Sequence, residues 1–484
     1  MTRELKWVTL VALIGFGAVV LGSAFWAVVQ ADSLLARSDN ARNVIAEQRI
    51  RRGAILDRDG EQLAYTEVTG SGLARRVYPY PQAAAPVGYY SVTYGTAGIE
   101  AAFDTQLRGA DRASEWQDFV NDLLHRAPQG SDVRSTVDLD VQIAAAQALG
   151  SRSGAVIVAH VPSGRVLAMV SQPNYDPNRL DVDWATLTRD EQTSPLLNRV
   201  TAGQYQPGGA LQTVVLAAML AGSPDLQQQG GYMLNSEVPE ATTSVQVNGL
   251  QLTCLPGTPA HPLTLAESYL FGCPAAFARA PESGLTPGNL WERFEMLGLL
   301  ASPVLTGFAT GTVNPPPLLH DETPDEELVA ALTGQGDLTV TPLQMVQVMA
   351  AIANQGNAVP LHLVDAVRAP GSSDWVPLEL PARRPALLRA DVASAVRLTM
   401  LQAAAQSPYV SQARTGDLVV YGHSALAYGG PQATPYVWFT GFADVTDGEE
   451  AEAVVVVVVI ESEDDPALAA QVAGAALATA ADLE

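Results

Sequence analysis

The chain has 484 residues, 48% hydrophobic and only 16% charged, enough apolar sequence for more than one packed core, which excludes a disordered chain. Its 51 acidic residues against 27 basic ones give a formal charge of −24, which repels phosphate backbones and excludes nucleic acid as a partner. What remains is a well-solvated acidic surface or one that meets a basic or neutral partner.

The first element follows Arg3 and Lys6. The run WVTLVALIGFGAVVLGSAFWAVV, Trp7 to Val29, carries no charge. Roughly 20 such residues in a helix cross a bilayer, and the run is too long for the apolar region of a signal peptide. Basic residues before it and Asp32 after it place the N-terminus in the cytoplasm and the bulk outside. Residues 1–30 therefore read as a cytoplasmic tip and a single-pass plasma-membrane anchor.

Residues 31–135 read as a small mixed pedestal. LLARSDNARNVIAEQ is a polar amphipathic helix, and RRGAILDRDGEQLAYT reads as two strands around a DRDG turn, a hairpin. A Gly- and Pro-punctuated module follows, then a helical stretch, ASEWQDFVNDLLHRA. In SDVRSTVDLDVQIAAAQAL a strand gives way to a helix opened by Asp138 and Asp140, both suited to cap its N-terminus.

Residues 136–484 form the larger domain. It opens with a hairpin, GAVIVAHVPSGRVLAMVS, and closes with two strands around TDGEE and an Ala-rich helix. Val454 to Ile460 shows no alternation, so that strand is expected to be buried on both faces. The fold class is α+β, with one antiparallel sheet built from both chain ends and sandwiched by helices. No internal repeat is present.

Within this domain, QYQPGGALQTVVLAAML runs a Tyr-x-Pro-Gly turn (Tyr205, Pro207, Gly208) into an apolar helix. A serine acyltransferase presents its nucleophile at such a place, yet Gly209 stands there, with Gln212 one turn on. Cys254 and Cys273 lie on the oxidising side of the membrane, where a disulfide would close a loop worth about 3 kcal/mol. Two separate buried thiols are the other reading. Two cysteines at this spacing with few histidines nearby make no zinc site, and no metal or cofactor is expected.

In this order the segments resemble the class B penicillin-binding proteins, membrane-anchored D,D-transpeptidases that cross-link peptidoglycan. RRGAILDRDGEQLA is similar to the pedestal signature, YGTAGIEAAFDTQLRG to the segment ending in Gly-Ile/Leu-Glu, SPLLNRVTAGQYQPGGALQ to the nucleophile helix, and YVWFTGFA to the strand after the third motif. The likeness covers nearly the whole chain. The family carries Ser-x-x-Lys, in which the amine takes the proton as serine attacks, then Ser-x-Asn, then Lys-Thr-Gly to bind the substrate carboxylate.

Residue by residue the motifs are degenerate. Gly209 and Gln212 stand for Ser and Lys, and Gly272 and Pro274 for Ser and Asn. The third motif aligns with His423-Ser424-Ala425, or alternatively with Arg414-Thr415-Gly416. Thr213, four residues after Gly209, Ser424, expected to face the cleft, and Cys273 are the candidate replacement nucleophiles. The resemblance implies a transpeptidase-like protein without catalysis, binding a multi-spanning wall polymerase or another wall-synthesis protein. Two alternatives are an active transpeptidase with a relocated nucleophile and a non-catalytic sensor of stem peptides or β-lactams.

Overall fold

The computed structural model describes residues 3–26, 47–70, 72–110, 127–222, 234–381, 386–430, 432–445 and 452–482. The polar helix after the anchor, the stretch at 113–127 and the TDGEE turn fall almost wholly outside the described residues. Helix α1 (Arg3–Ala24) has a mean hydropathy of 2.1 over its most apolar window, with none of that window buried. A helix satisfies its own backbone polar groups, so an exposed apolar one of this length fits a single-pass anchor.

The pedestal begins with the hairpin of β1 (Ile55–Leu56) and β2 (Gln62–Val68), which pair antiparallel. Asp57 closes its turn by accepting the N–H groups of Asp59, Gly60 and Glu61 at 2.7–3.0 Å. Strand β3 (Ala74–Val77) pairs with β2, and β4 (Tyr90–Ser91) and β5 (Gly95–Thr96) form a separate ribbon. Strand β6 (Asp132–Ser135) lies parallel to β1. Helix α2 (Leu139–Leu149) is capped by Asp138, whose carboxylate accepts from Asp140 and Val141. Asp140 is not a second cap: it lies inside the first turn, where its charge favours the helix dipole.

Strands β7 (Gly154–Val161) and β8 (Val166–Gln172) form the opening hairpin. A 3₁₀ turn (Gly208–Leu211) leads into α3 (Gln212–Ala221). Then come the ribbon β9 (Val245–Val247) and β10 (Leu250–Leu252), and α4 (Leu265–Leu270), α5 (Pro274–Ala278), α6 (Asp325–Leu332) and α7 (Pro342–Ala353). Strands β11 (Val364–Arg368) and β12 (Trp375–Pro377) return to the pedestal. There they complete a six-stranded sheet in the order β12-β11-β6-β1-β2-β3. Residues more than 220 positions apart thus share one sheet, and Val367 pairs with Val133.

Helix α8 (Ala390–Gln406) precedes β13 (Val419–Gly429), β14 (Thr434–Asp444), β15 (Ala453–Glu461) and α9 (Pro466–Ala481). The main sheet runs β13-β14-β15-β7-β8 and is antiparallel throughout. Residues Val454 to Ile460 of β15 are all fully buried, so both faces must be covered. Helices α2 and α9 cover one and α7 the other. Strand β13 is left at an edge.

Two pedestal signatures meet in an ion network. Glu100 of the Gly-Ile-Glu segment is fully buried and binds Arg52 at 2.8 Å and Arg76 at 2.6 Å, and it accepts the Tyr78 hydroxyl at 3.2 Å. Arg52 also reaches Asp104 at 2.6 Å. Removing one partner of a buried pair leaves charge without compensation. Glu100→Ala is expected to cost about 3–5 kcal/mol in chemical denaturation, whereas Glu67→Ala, which breaks an exposed pair with Arg75, should cost under about 1 kcal/mol. Equal costs would show that the buried network does not hold the pedestal.

Candidate active site

The turn before α3 is held on three sides. Tyr205 exchanges backbone hydrogen bonds with Val340, and its hydroxyl donates to Glu461 at 2.7 Å, where Arg199 also binds at 2.8 Å. The Trp438 indole donates to the Gln206 carbonyl at 3.3 Å, and Gly208 N–H to Gly334. Gly208 has φ +50°, and a Cβ there would come within 2.4 Å of the Ala427 Cβ, so only glycine fits.

That geometry sets Gly209 beside β13. Its own φ is not left-handed, so sterics and not backbone strain decide what it can carry. A Cβ at Gly209 would lie 3.1 Å from the Ala425 Cβ and 3.6 Å from the Leu426 carbonyl. The methyl of Ala425 occupies part of the room a serine would need. Gln212 is 2% exposed, and its Oε1 accepts no hydrogen bond.

The second motif sits between α4 and α5. Gly272 has φ +58°, and a Cβ there would meet the Leu255 side chain at 3.3 Å. A side chain at this position would be strained in backbone and contact alike. Pro274 is the first residue of α5, where its missing N–H is not needed. Cys273 is fully buried and disulfide-bonded to Cys254. The bond fixes the segment that carries Leu255 over Gly272.

On β13, His423 and Ala425 face the turn. The His423 Nε2 lies 3.0 Å from the Gly209 carbonyl, and its ring stacks on Tyr269 with centroids 4.1 Å apart. A carbonyl only accepts, so Nε2 carries the proton and Nδ1 is the acceptor, left without a partner. Burial pushes the imidazole down to about 4. His423 is therefore neutral at physiological pH and cannot supply the positive charge of a lysine.

The expectation that Ser424 faces the cleft is wrong by one residue of strand parity. It pairs with Phe439 and shares the opposite face, where the Phe439 ring lies against Gly422 and Val410. Arg414, Thr415 and Gly416 stand in the loop before β13, outside the strand that adjoins Gly209. Thr213 is fully buried and hydrogen-bonded to the Tyr269 hydroxyl at 2.8 Å. It does not open to the cleft.

The structure brings Gly209, Gln212, Gly272, Pro274 and Ala425 together around one cleft of about 220 Å³. Leu255, Gln335, Tyr428 and Asp464 also line it, and sequence reasoning missed all four. Only the Cys254–Cys273 spacing pointed towards Leu255. At the motif positions that line the cleft, Gly209, Gln212, Gly272, Pro274 and Ala425, no side chain carries a hydroxyl, thiol or amine.

The penicillin binding protein A dimerisation domain family matches residues 52–133, and the penicillin binding protein transpeptidase domain family matches residues 154–229 and 312–480. The peptidoglycan D,D-transpeptidase PbpA of Mycolicibacterium smegmatis is 31% identical over 99% of this chain and 99% of its own length. The protein of the same name from Mycobacterium tuberculosis is 31% identical over 75% of this chain and 74% of its own. An imipenem acyl-enzyme complex of penicillin-binding protein A from M. tuberculosis superposes with a TM-score of 0.78 at 26% identity, covering 90% of this chain and 99% of that one. A D,D-transpeptidase domain from Eggerthella lenta, at 24% identity and a TM-score of 0.76, covers 90% and 99% and shares the fold.

Two outcomes follow from the cleft's packing and charge. Gly209→Ser alone is expected to lower stability by roughly 1–3 kcal/mol through overpacking. Combined with Ala425→Gly it should recover, with a coupling of at least about 1 kcal/mol in a double-mutant cycle of denaturation midpoints. Strict additivity would show that the two positions do not share one volume. The second outcome concerns pH: an unfolded histidine titrates near 6.5, so below that the unfolded state binds the proton that buried His423 refuses. Stability is then present above about 6.5 and lost as pH falls towards 4, by up to roughly 3 kcal/mol. His423→Gln should flatten this part of the stability profile; an unchanged slope would assign the loss to other groups.

Proposed function

We infer the function from one premise: the chain belongs to the class B penicillin-binding proteins, the peptidoglycan D,D-transpeptidase family of cell-wall synthesis. Within that family it serves wall synthesis by binding and not by acyl transfer. The observation that carries this reading is the glycine at position 209, with the Ala425 methyl 3.1 Å from where a serine Cβ would stand. Acyl transfer needs an atom that can bond the carbonyl carbon, and a base to take its proton. Neither Gly209 nor Gln212 supplies one.

The relocated nucleophile finds no support in the geometry. The Cys273 sulfur is in a disulfide, the Thr213 hydroxyl is paired under Tyr269, and Ser424 lies on the far face of β13. What remains is an intact scaffold on an apolar anchor. Pedestal and anchor are the parts best suited to engage a membrane-embedded wall-synthesis partner, and among the described residues nothing packs against Gly15, Gly17 and Gly22 of α1. Small residues let a partner helix approach closely in lipid.

The test is intact-protein mass spectrometry after incubation with penicillin G. The expected result is no covalent adduct, under conditions that acylate an active D,D-transpeptidase stoichiometrically. A stoichiometric mass gain that maps to Thr213, Ser424 or any other residue would overturn the binding-only reading.

A further inference from the structure

We propose that the groove leading from the cleft along β13 is a docking site for an extended, basic segment of a protein partner. The proposal rests on the reading that this chain acts by binding, and it names what the former substrate cleft binds. The cleft at Gly209 is not isolated. It shares Gln335 and Tyr428 with a second hollow of about 340 Å³, which shares Asn248, Gly336 and Asp337 with a third of about 250 Å³. Three hollows with common walls make one trough.

The trough has a single sign of charge. Asp464 lines the first hollow, Asp337 the second and third, and Glu326 and Glu327 the third, while among the described residues no Lys, Arg or His lines any of them. None of the four carboxylates pairs with a cation among the described residues, and all are exposed. A concave surface with walls of low dielectric focuses such a field, raising the local concentration of cations and repelling a ligand that ends in a carboxylate. His423, buried behind Gly209 and neutral, brings no positive charge to hold such an anion.

A second, independent feature points to a ligand that donates hydrogen bonds. Gln212 lines the inner end, is almost fully buried, and offers an acceptor oxygen that nothing among the described residues satisfies. An unmet buried acceptor is destabilising, and an incoming N–H would remove that cost. The first two hollows also lie along β13, the edge strand of the main sheet, which has a strand neighbour on one side only. An exposed strand edge recruits an extended chain by backbone pairing, with alternate side chains reaching pockets. Apolar surface for those side chains is present at Leu250, Trp291 and Leu318, the last 59% exposed. A small polyamine would satisfy the charge but not the strand edge or the apolar walls.

The experiment uses the full chain in detergent micelles and a fluorescein-labelled, end-blocked peptide of alternating lysine and valine, read by fluorescence anisotropy near physiological salt. Its glutamate and valine counterpart is the second probe. A groove variant combines Asp337→Asn, Glu326→Gln, Glu327→Gln and Asp464→Asn. A control of equal net charge combines Asp140→Asn, Glu191→Gln, Asp374→Asn and Glu379→Gln, all exposed and outside the trough. The basic peptide is expected to bind the native chain and the control alike and to lose about tenfold or more in the groove variant, while the acidic peptide does not bind. Equal loss in both variants would mean diffuse attraction to an acidic protein and would sink the proposal, as would no binding by the basic peptide. Because acylation by penicillin G is read separately, an adduct would remove the binding-only function, while absent peptide binding in a protein that takes no adduct would remove only this groove.

Discussion

The site depends on how closely the 3₁₀ turn at Gly208 approaches edge strand β13. Gly208 lies against Ala427 on one side and Gly334 on the other, at separations no Cβ could enter. Tyr205, Glu461, Arg199 and Trp438 fix the turn from behind through hydrogen bonds that reach the last strand of the sheet. A turn so constrained cannot retreat to make room. Whatever stands at 209 must therefore share a fixed volume with whatever stands at 425. A bare Cα at one position and a methyl at the other fill it.

Much of this architecture was legible in the sequence, and the reasons are physical. The hairpins at Asp57 and at Pro162 announced themselves through turn residues between alternating or apolar runs, and the valine run of β15 had no polar face to expose. Short strands without a periodic signal were not legible. Strands β11 and β12 supply five and three residues to the pedestal sheet from deep inside the second half of the chain, and local pattern says nothing about so distant a pairing. The same limit applies to Arg52 and Glu100. Each motif was noticed alone, but their ion pair exists only once the chain folds back.

At the site, residue identities were readable and their directions were not. A strand turns each side chain to the opposite face from its neighbour, so an error of one residue in parity exchanges cleft and core. Ser424 thus faces Phe439 instead of the cleft, and His423 is the group that touches Gly209. Leu255 reaches Gly272 through a disulfide-held loop, so no helical or strand spacing signals it, only the neighbouring Cys254.

The polar remnants argue against a cleft that has simply closed into core. A core position is most stable when filled by an apolar side chain of matching volume, and a buried amide without a partner is among the costlier ways to fill one. Gln212 keeps its unpaired oxygen at the floor of a space that stays open, whereas next to it on α3 Thr213 is buried with its hydroxyl paired and Val214 to Leu220 are apolar and packed. Closing the cleft would leave that oxygen unsatisfied permanently. Leaving it open lets a water or a ligand N–H meet it. The glycine turn that carries residue 209 and the edge strand β13 keep that space open between them.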